Sequence, residues 1–216
     1  MTERITAQQF HEAAGVEDWR ALFSGACAHF RTGTFATGVA LVDAIGRLAD
    51  AANHHPDVDL RYAGVTVRLW THDVNGLSER DVELARRISA AARQLAVAAD
   101  PADVQDVRIA IDALVRPEVI PFWRAVLGYQ EAGDEDLLDP HFRGPALWFQ
   151  QTDVLRTQRN RIHVDVSVPH DQAEARVAAA IAAGGHLVSD LFAPAWWTLA
   201  DAEGNEVDVA TWMGRD

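Results

Sequence analysis

The spacing of apolar residues changes twice between positions 35 and 95, and this limits the folds open to the first half of the chain. Residues 35–53 carry an apolar residue every three or four positions, which predicts one amphipathic helix. Residues 58–69 alternate apolar and polar side chains, which predicts a β-hairpin that turns at Ala63-Gly64. A second helical stripe follows over 82–95. We therefore expect an α+β unit in which an antiparallel sheet carries helices on one face.

Two adjacent histidines stand where the first of these helices is expected to end. His54 and His55 precede Pro56, and a proline disfavours the helical conformation in the residue before it. A third histidine, His72, follows the second strand of the hairpin. Imidazole donates and accepts protons readily near neutral pH, so the three side chains together are candidates for an acid–base cluster. A three-histidine zinc site is the alternative that these residue types leave open.

The sequence Ser-Glu-Arg-Asp at 78–81 predicts the start of the second helix. Ser78 is placed as the N-cap, and Asp81 is placed in the reciprocal position of a capping box. Asp81 has a second interpretation, in which its carboxylate orients or charges a nearby imidazole. The two roles are compatible.

Length and charge indicate two domains and exclude one class of partner. The chain has 216 residues and a net charge of -13, and all nineteen of its basic residues are arginine, which argues against nucleic-acid binding. Residues 1–96 hold ten arginines against twelve acidic residues, whereas 97–216 hold nine against twenty. We expect one domain over 1–97, a linker over 98–105 around Asp100-Pro101, and a second domain over 106–216.

The cellular setting is also an expectation from composition. Cys27 is the sole cysteine, so an intramolecular disulfide is excluded and a reducing compartment is favoured. The N-terminal residues show no basic segment followed by an apolar one, and no run of 18 apolar residues occurs. A cytoplasmic protein with no membrane partner is predicted.

The second half repeats one pattern of elements. A strand and a helix over 107–129 lead through a less regular stretch to a strand at 145–151, and a strand and a helix over 161–185 lead to three further strands. Gly184-Gly185 is expected to end the second of these helices. The pattern predicts two successive βαβββ units.

Seven positions in the first half carry a specific resemblance. They are Asp50, His54, His55, Pro56, Tyr62, His72 and Asp81. Their order and spacing resemble the signature of the pterin-4a-carbinolamine dehydratases, and the resemblance covers about residues 5–92. It implies removal of water from a 4a-hydroxytetrahydropterin to give a quinonoid dihydropterin, by chains assembled as dimers or tetramers.

The resemblance also assigns roles to residues. His54, His55 and His72 become the catalytic imidazoles. The pterin pocket is assigned to Pro56, Thr71, Asp73 and Asp81. Loss of hydroxide from C4a needs a proton on the departing oxygen, and formation of the C=N bond needs the N5 proton to leave. A cationic and a neutral imidazole can divide these tasks, so no metal or redox cofactor is required. Some relatives also serve as dimerisation partners of transcription factors, which makes a protein-interaction module the alternative function.

A second resemblance covers roughly residues 106–213. The segments FWRAVLGY, NRIHVDV and DAEGNEVDVA resemble the glyoxalase-like branch of the vicinal oxygen chelate fold. In its metal-dependent members four ligands come from the strands of the paired units. The matching positions here fall on Arg108 or Ala110, Gln150, His163 and Asp208. Neither Arg108 nor Ala110 is a credible metal ligand. His163 is open to either a metal-binding or a structural interpretation.

A metal-dependent lyase or dioxygenase activity in this second domain therefore stands as another alternative. Three tryptophans, Trp148, Trp196 and Trp197, could line a cavity for a planar ligand there, although core packing explains them equally well.

Overall fold

The computed structural model describes residues 2–154, 164–211 and 213. The chain divides into two compact units, Met1–Asp106 and Val107–Asp216. Each unit has its own buried apolar core.

The first unit is an antiparallel sheet with two long helices on one face. Its elements are, in order, β1 (Arg4–Ile5), α1 (Ala7–Glu12), β2 (Arg20–Leu22), β3 (Gly25–Arg31), α2 (Phe35–Ala52), β4 (Asp57–Leu60), β5 (Gly64–Leu69), a 3₁₀ turn (His72–Val74), β6 (Leu77–Ser78), α3 (Glu79–Gln94) and β7 (Ala98–Ala99). The main sheet has the order β2-β3-β5-β4, and β7 pairs with the end of β3. Strands β1 and β6 form a separate antiparallel pair.

The periodicity of the sequence explains this arrangement. Alternate residues of β3 and β5 point to the same side of the sheet and are buried there against apolar residues of α2 and α3. The largest fully buried side chains of this core are Trp19, Phe10, Phe30, Leu41, Ile45, Leu69, Leu84 and Ile88. The predicted fold class, the two helices and the hairpin are confirmed.

Helix α2 ends where the sequence indicates. Thr34 caps its first turn by accepting from the amide of Thr37, and Asn53 ends it in the left-handed conformation with φ of 46°. Asn53 tolerates this conformation better than most residues, since its short polar side chain suits it. The chain then leaves the helix at His54, so the histidine pair lies directly after the helix terminus.

The segment 98–105, predicted to be a linker, lies within the first unit instead. Strand β7 extends the sheet, and the amide of Asp100 donates to the carbonyl of His29 at 2.7 Å. The carboxylate of Asp106 accepts from the amide of Ser24 at 2.8 Å. The division between the units therefore falls after residue 106. Asp100-Pro101 ends the helical pattern, which is why a linker was predicted. The segment is held on the sheet because β7 pairs with β3, about 70 residues earlier in the sequence.

The second unit consists of two four-stranded sheets with one helix each. Its elements are β8 (Arg108–Ala113), α4 (Arg116–Leu127), β9 (Gln130–Ala132), β10 (Asp136–Leu138), β11 (Ala146–Gln151), β12 (Val164–Ser167), a 3₁₀ turn (His170–Gln172), α5 (Ala173–Ala182), β13 (His186–Ser189), β14 (Trp196–Ala200) and β15 (Glu206–Ala210). The sheet orders are β8-β11-β10-β9 and β12-β15-β14-β13. In each of the two sheets the first and last strands in chain order pair in parallel, namely β8 with β11 and β12 with β15. The other pairs are antiparallel. The predicted succession of two βαβββ units is confirmed.

Several short elements were not predicted from the sequence. Strands β9 and β10 occupy the stretch that was predicted to be less regular, and α1 and β2 precede the first predicted helix. These elements have three to six residues, too few to show a clear apolar period. No helix among the described residues is long and apolar enough to cross a bilayer.

Candidate active site

A buried hydrogen bond between an imidazole and a carboxylate forms the centre of the candidate site. Nε2 of His54 lies 2.7 Å from Oδ1 of Asp81, and the two side chains are 6% and 0% exposed. His54 follows helix α2, whereas Asp81 lies in the first turn of helix α3. The fold therefore joins the ends of the two long helices through an imidazole and a carboxylate.

The second oxygen of Asp81 is fully engaged as an acceptor. Oδ2 accepts from the amide of Ser78 at 2.7 Å and from the hydroxyl of Thr71 at 2.6 Å. The hydroxyl of Ser78 in turn accepts from the amide of Arg80, which completes the cap of α3. Asp81 thus acts both as a capping residue and as the partner of an imidazole, as its two interpretations allowed.

This network fixes one nitrogen of His54. An ionised carboxylate can only accept, so Nε2 of His54 carries the proton that it shares with Asp81. In the neutral ring, the lone pair is then on Nδ1. The pairing of a buried imidazole with a carboxylate is the arrangement that holds a histidine in one tautomer for proton transfer.

His55 lies in a different environment from its neighbour. Its Nε2 is 3.0 Å from Oδ1 of Asp50, and the two side chains are 61% and 82% exposed. Asp50 is in the last turn of α2, so this pair spans the helix terminus. The signature residue Asp50 thus has a defined partner, which its position in the sequence did not reveal.

His72 lies in a segment that Asp81 connects to the histidine pair. His72 and Asp73 begin the 3₁₀ turn and are exposed, whereas Thr71 is buried and hydrogen-bonded to Asp81. The turn is closed by bonds between the backbones of Thr71 and Gly76. Asp81 binds both His54 and Thr71. The segment that carries His72 is therefore connected to the segment that carries the histidine pair.

Arg80 makes a second connection that the sequence reading missed. Its guanidinium donates to the carbonyl of Asn53 at 2.7 Å and to the carboxylate of Asp73 at 3.1 Å. These residues adjoin His54 and His72 respectively. The available signal for this role was the position of Arg80, which directly precedes Asp81 in the first turn of α3.

Two further signature positions have simpler settings. Pro56 is partly buried and directly precedes β4. Tyr62 is 76% exposed in the loop of the hairpin. Among the described residues, which include His54, His55 and His72, no group of three or more His, Cys, Asp or Glu side chains is placed to hold a metal ion. The zinc alternative for the histidine cluster therefore has no geometric support.

The candidate metal positions of the second unit are only partly described. His163 lies outside the described residues. Asp208 on β15 accepts from the hydroxyl of Thr198 on β14 at 2.6 Å, and Arg108 on β8 forms an ion pair with Asp136 on β10. Gln150 is exposed on β11. Arg108 is thus engaged with a carboxylate, in keeping with its rejection as a ligand.

The three tryptophans of the second unit fall into two groups. Trp197 packs against the apolar core. Trp148 is half-buried, with the guanidinium of Arg108 5.7 Å from its ring centroid, and Trp196 stacks on Phe192 with centroids 4.4 Å apart. Core packing therefore accounts for Trp197, whereas the other two lie outside that core.

Comparison with known proteins agrees with this division of the chain. The family model described as "Pterin 4 alpha carbinolamine dehydratase" matches residues 3–91. A "Putative pterin-4-alpha-carbinolamine dehydratase" of Nocardia farcinica is 37% identical over 93 residues, which are 43% of this chain and 98% of that protein. The chain belongs to the pterin-4a-carbinolamine dehydratase family.

Other members of the dehydratase family match the same region. A relative with the same name from Aquifex aeolicus is 33% identical over 96 residues, or 44% of this chain and 97% of that protein. A crystal structure titled transcriptional coactivator/pterin dehydratase, from Brucella melitensis, has 28% identity and a TM-score of 0.40, and the match covers 42% of this chain and 99% of that one.

The second unit is a glyoxalase-like domain. The family model with that description matches residues 108–210. A solved glyoxalase-related enzyme from Fulvimarina pelagi has 15% identity and a TM-score of 0.40, and the match covers 50% of this chain and 87% of that one. In this dehydratase-family chain the first match ends at residue 91 and the second begins at residue 108, and the boundary between the two units falls between them, after residue 106.

Proposed function

We propose that the first unit removes water from a 4a-hydroxytetrahydropterin to give a quinonoid dihydropterin. The single observation that carries this proposal is the buried pair of His54 and Asp81, tied through Thr71 to the turn that bears His72. Family membership supplies the reaction, and this network supplies a means of holding acid–base groups in place. The glyoxalase-like domain is auxiliary in this proposal.

The reaction needs two proton transfers and no change of oxidation state. The departing 4a-hydroxyl takes a proton and leaves as water, while N5 loses its proton and its lone pair forms the C=N bond. One imidazole that enters as the cation and one that enters neutral can perform both transfers. Each positioned group of this kind contributes roughly 100- to 10,000-fold to a rate.

The environments of the three histidines suit such a division. His54 is buried and kept in one tautomer by Asp81, so it acts on the pterin through Nδ1. His55 and His72 are exposed and exchange protons with solvent, which returns the site to its starting state after each turnover. Pro56, Thr71, Asp73 and Asp81 shape the pocket, Thr71 and Asp81 by holding its walls from within.

The test is a dehydration assay on the full chain, treated with a chelator and given no metal. We expect the chain to accelerate formation of the quinonoid product, and His54→Ala and His72→Ala to lower kcat by at least about tenfold. His186→Ala is the matched control, since His186 is exposed on β13 of the second unit, and it should retain native activity. Native turnover in both folded site variants would show that the proposal is wrong.

Assembly as dimers or tetramers stays a prediction from the family resemblance, and a cytoplasmic location stays a prediction from composition. Light scattering coupled to size-exclusion chromatography checks the first. A chain that dehydrates the pterin as a monomer would show that assembly is not needed for the reaction.

A further inference from the structure

Two consecutive residues at the start of α3 hold both histidine-bearing segments. Asp81 binds the ring of His54 and the hydroxyl of Thr71. Arg80 binds the residue before His54, through the carbonyl of Asn53, and the residue after His72, through the carboxylate of Asp73. The two segments are therefore fastened at two points each, all from one helix terminus.

The chemistry of the guanidinium suits this task. Its donors lie in a rigid planar fork, so one arm can bind a carbonyl while the other binds a carboxylate at a fixed separation. A lysine ammonium at the end of a flexible chain fixes no such separation. The contact with Asn53 also involves a residue already held in the left-handed conformation, which leaves that carbonyl little freedom to move.

The contacts of Arg80 contribute more to geometry than to stability. Its side chain is 34% exposed and that of Asp73 is 74% exposed, and ion pairs in such settings stabilise a fold very little. Nothing in the core depends on the guanidinium. Loss of Arg80 should therefore leave the unit folded but allow the two histidine-bearing segments to move relative to each other.

We propose that Arg80 is a positioning residue that sets the spacing between His54 and His72 for pterin dehydration. This inference rests on the proposed function of the first unit. A misplacement of about 1 Å between reacting groups can lower a rate roughly 100-fold, so a residue that touches neither ring can control turnover. Because the guanidinium acts on the chain rather than on the substrate, its loss affects kcat more than KM.

The experiment compares Arg80→Gln and Arg80→Lys with Arg86→Gln in the full chain. Arg86 is a close match to Arg80, since it also lies on α3 and its side chain is 39% exposed. Its guanidinium donates to the carbonyl of Ala14 and pairs with the carboxylate of Glu83. We expect kcat to fall at least about tenfold in Arg80→Gln and less in Arg80→Lys, with KM changed by less than about threefold. Arg86→Gln should keep the native kcat.

A second measurement does not depend on turnover. Nitrogen-15 spectra of the imidazole rings should show shifted signals for His54 and His72 in Arg80→Gln and native signals in Arg86→Gln. If the native chain were inactive, the proposed function would fail, yet these spectra would still report whether Arg80 positions the rings. Unchanged ring signals, or native kcat in both Arg80 variants, would overturn the inference. If Arg80→Gln did not fold, the kcat and the ring signals of Arg80→Lys would test the inference, and native values of either in that variant would overturn it.

Discussion

One carboxylate, that of Asp81, serves the start of a helix and the centre of the site together. It is fully buried and accepts from a backbone amide, from an imidazole, from the hydroxyl of Thr71 and, at a longer distance, from that of Ser78. A buried donor that loses its acceptor costs about 1 to 3 kcal/mol, which is more than the hydrogen bond itself contributes. The same residue is therefore expected to affect both stability and catalysis.

Replacement of Asp81 by alanine should lower the free energy of unfolding by about 2 to 4 kcal/mol, because the ring of His54, the hydroxyl of Thr71 and the amide of Ser78 all lose their buried acceptor. The Ser78 hydroxyl still caps α3, so only the reciprocal half of the capping box is lost. Asp81→Asn should cost less stability, since its amide oxygen still accepts, but should still lower kcat. Urea unfolding and the dehydration assay measure the two effects. Asp59→Ala is the control, because Asp59 pairs with Arg61 at the surface, and it should change stability by less than about 0.5 kcal/mol. An Asp81→Ala chain as stable as this control would contradict the prediction.

The Cys27 thiol is expected to be chemically inert in the folded chain. Burial raises its pKa to about 11. At pH 8 this lowers the reactive thiolate fraction roughly 100-fold relative to an ordinary thiol. The fold favours the neutral form, so this contribution to stability is complete below the ordinary thiol pKa and is lost as pH rises through about 11.

Iodoacetamide at pH 8 should therefore alkylate the folded chain at least about 100-fold more slowly than the urea-unfolded chain. Mass spectrometry gives the rate directly, since Cys27 is the sole cysteine. Raising the pH from 9 to 11 should lower the urea midpoint of the native chain more than that of Cys27→Ala. Equal alkylation rates in the folded and unfolded chains would show that the thiol is accessible.

At the scale of elements, the end of the first unit is decided by the segment 98–106. Two aspartates hold it to the sheet: Oδ2 of Asp100 lies 3.4 Å from Nε of Arg31, and the carboxylate of Asp106 accepts from the amide of Ser24. Strand β7 adds backbone pairing, and Ala99 packs on the core. The segment covers an edge of β3 that would otherwise leave its backbone groups unpaired.

A fragment that ends at residue 97 should accordingly be less stable than one that ends at residue 106. We expect a difference of about 2 to 4 kcal/mol in the free energy of unfolding, from the loss of three or so hydrogen bonds and some apolar burial. Urea unfolding of the two fragments, followed by circular dichroism, measures it. Superimposable unfolding curves would mean that the segment is a linker after all.

At the scale of the whole molecule, two separate apolar cores support two units of similar size. The residues of the proposed site all belong to the first unit. A change confined to the core of the second unit should therefore leave the dehydration chemistry intact.

Phe122→Ala tests this expectation, since Phe122 is fully buried in the second core. We expect a loss of about 3 to 5 kcal/mol in the stability of the second unit and native dehydratase activity at 25 °C. Phe30→Ala, in the first core, is the matched variant and should destabilise the first unit instead. Calorimetry of the full chain, with activity measured alongside, separates the two outcomes. A Phe122→Ala chain that loses dehydratase activity while the first unit stays folded would show that the second unit takes part in the reaction.

The sequence by itself determined the features that depend on local periodicity and capping. Helix α2, the hairpin of β4 and β5, the start of α3 at Ser78 and the two βαβββ units were all predicted, because each is written in the spacing of apolar residues or in a residue at a helix end. The position of His54 and His55 after a helix followed from Pro56 for the same reason.

Only the tertiary structure decided which imidazole is buried and what holds it. His54 and Asp81 are 27 residues apart, and Arg80 reaches Asn53 over the same separation, so no local pattern encodes either contact. Strand β7 likewise exists because β3 offers an edge to pair with, and its two alanines carry no strand signal of their own. Local rules act over a turn or a pair of strands, whereas the site is built from segments that meet only when the helices pack on the sheet.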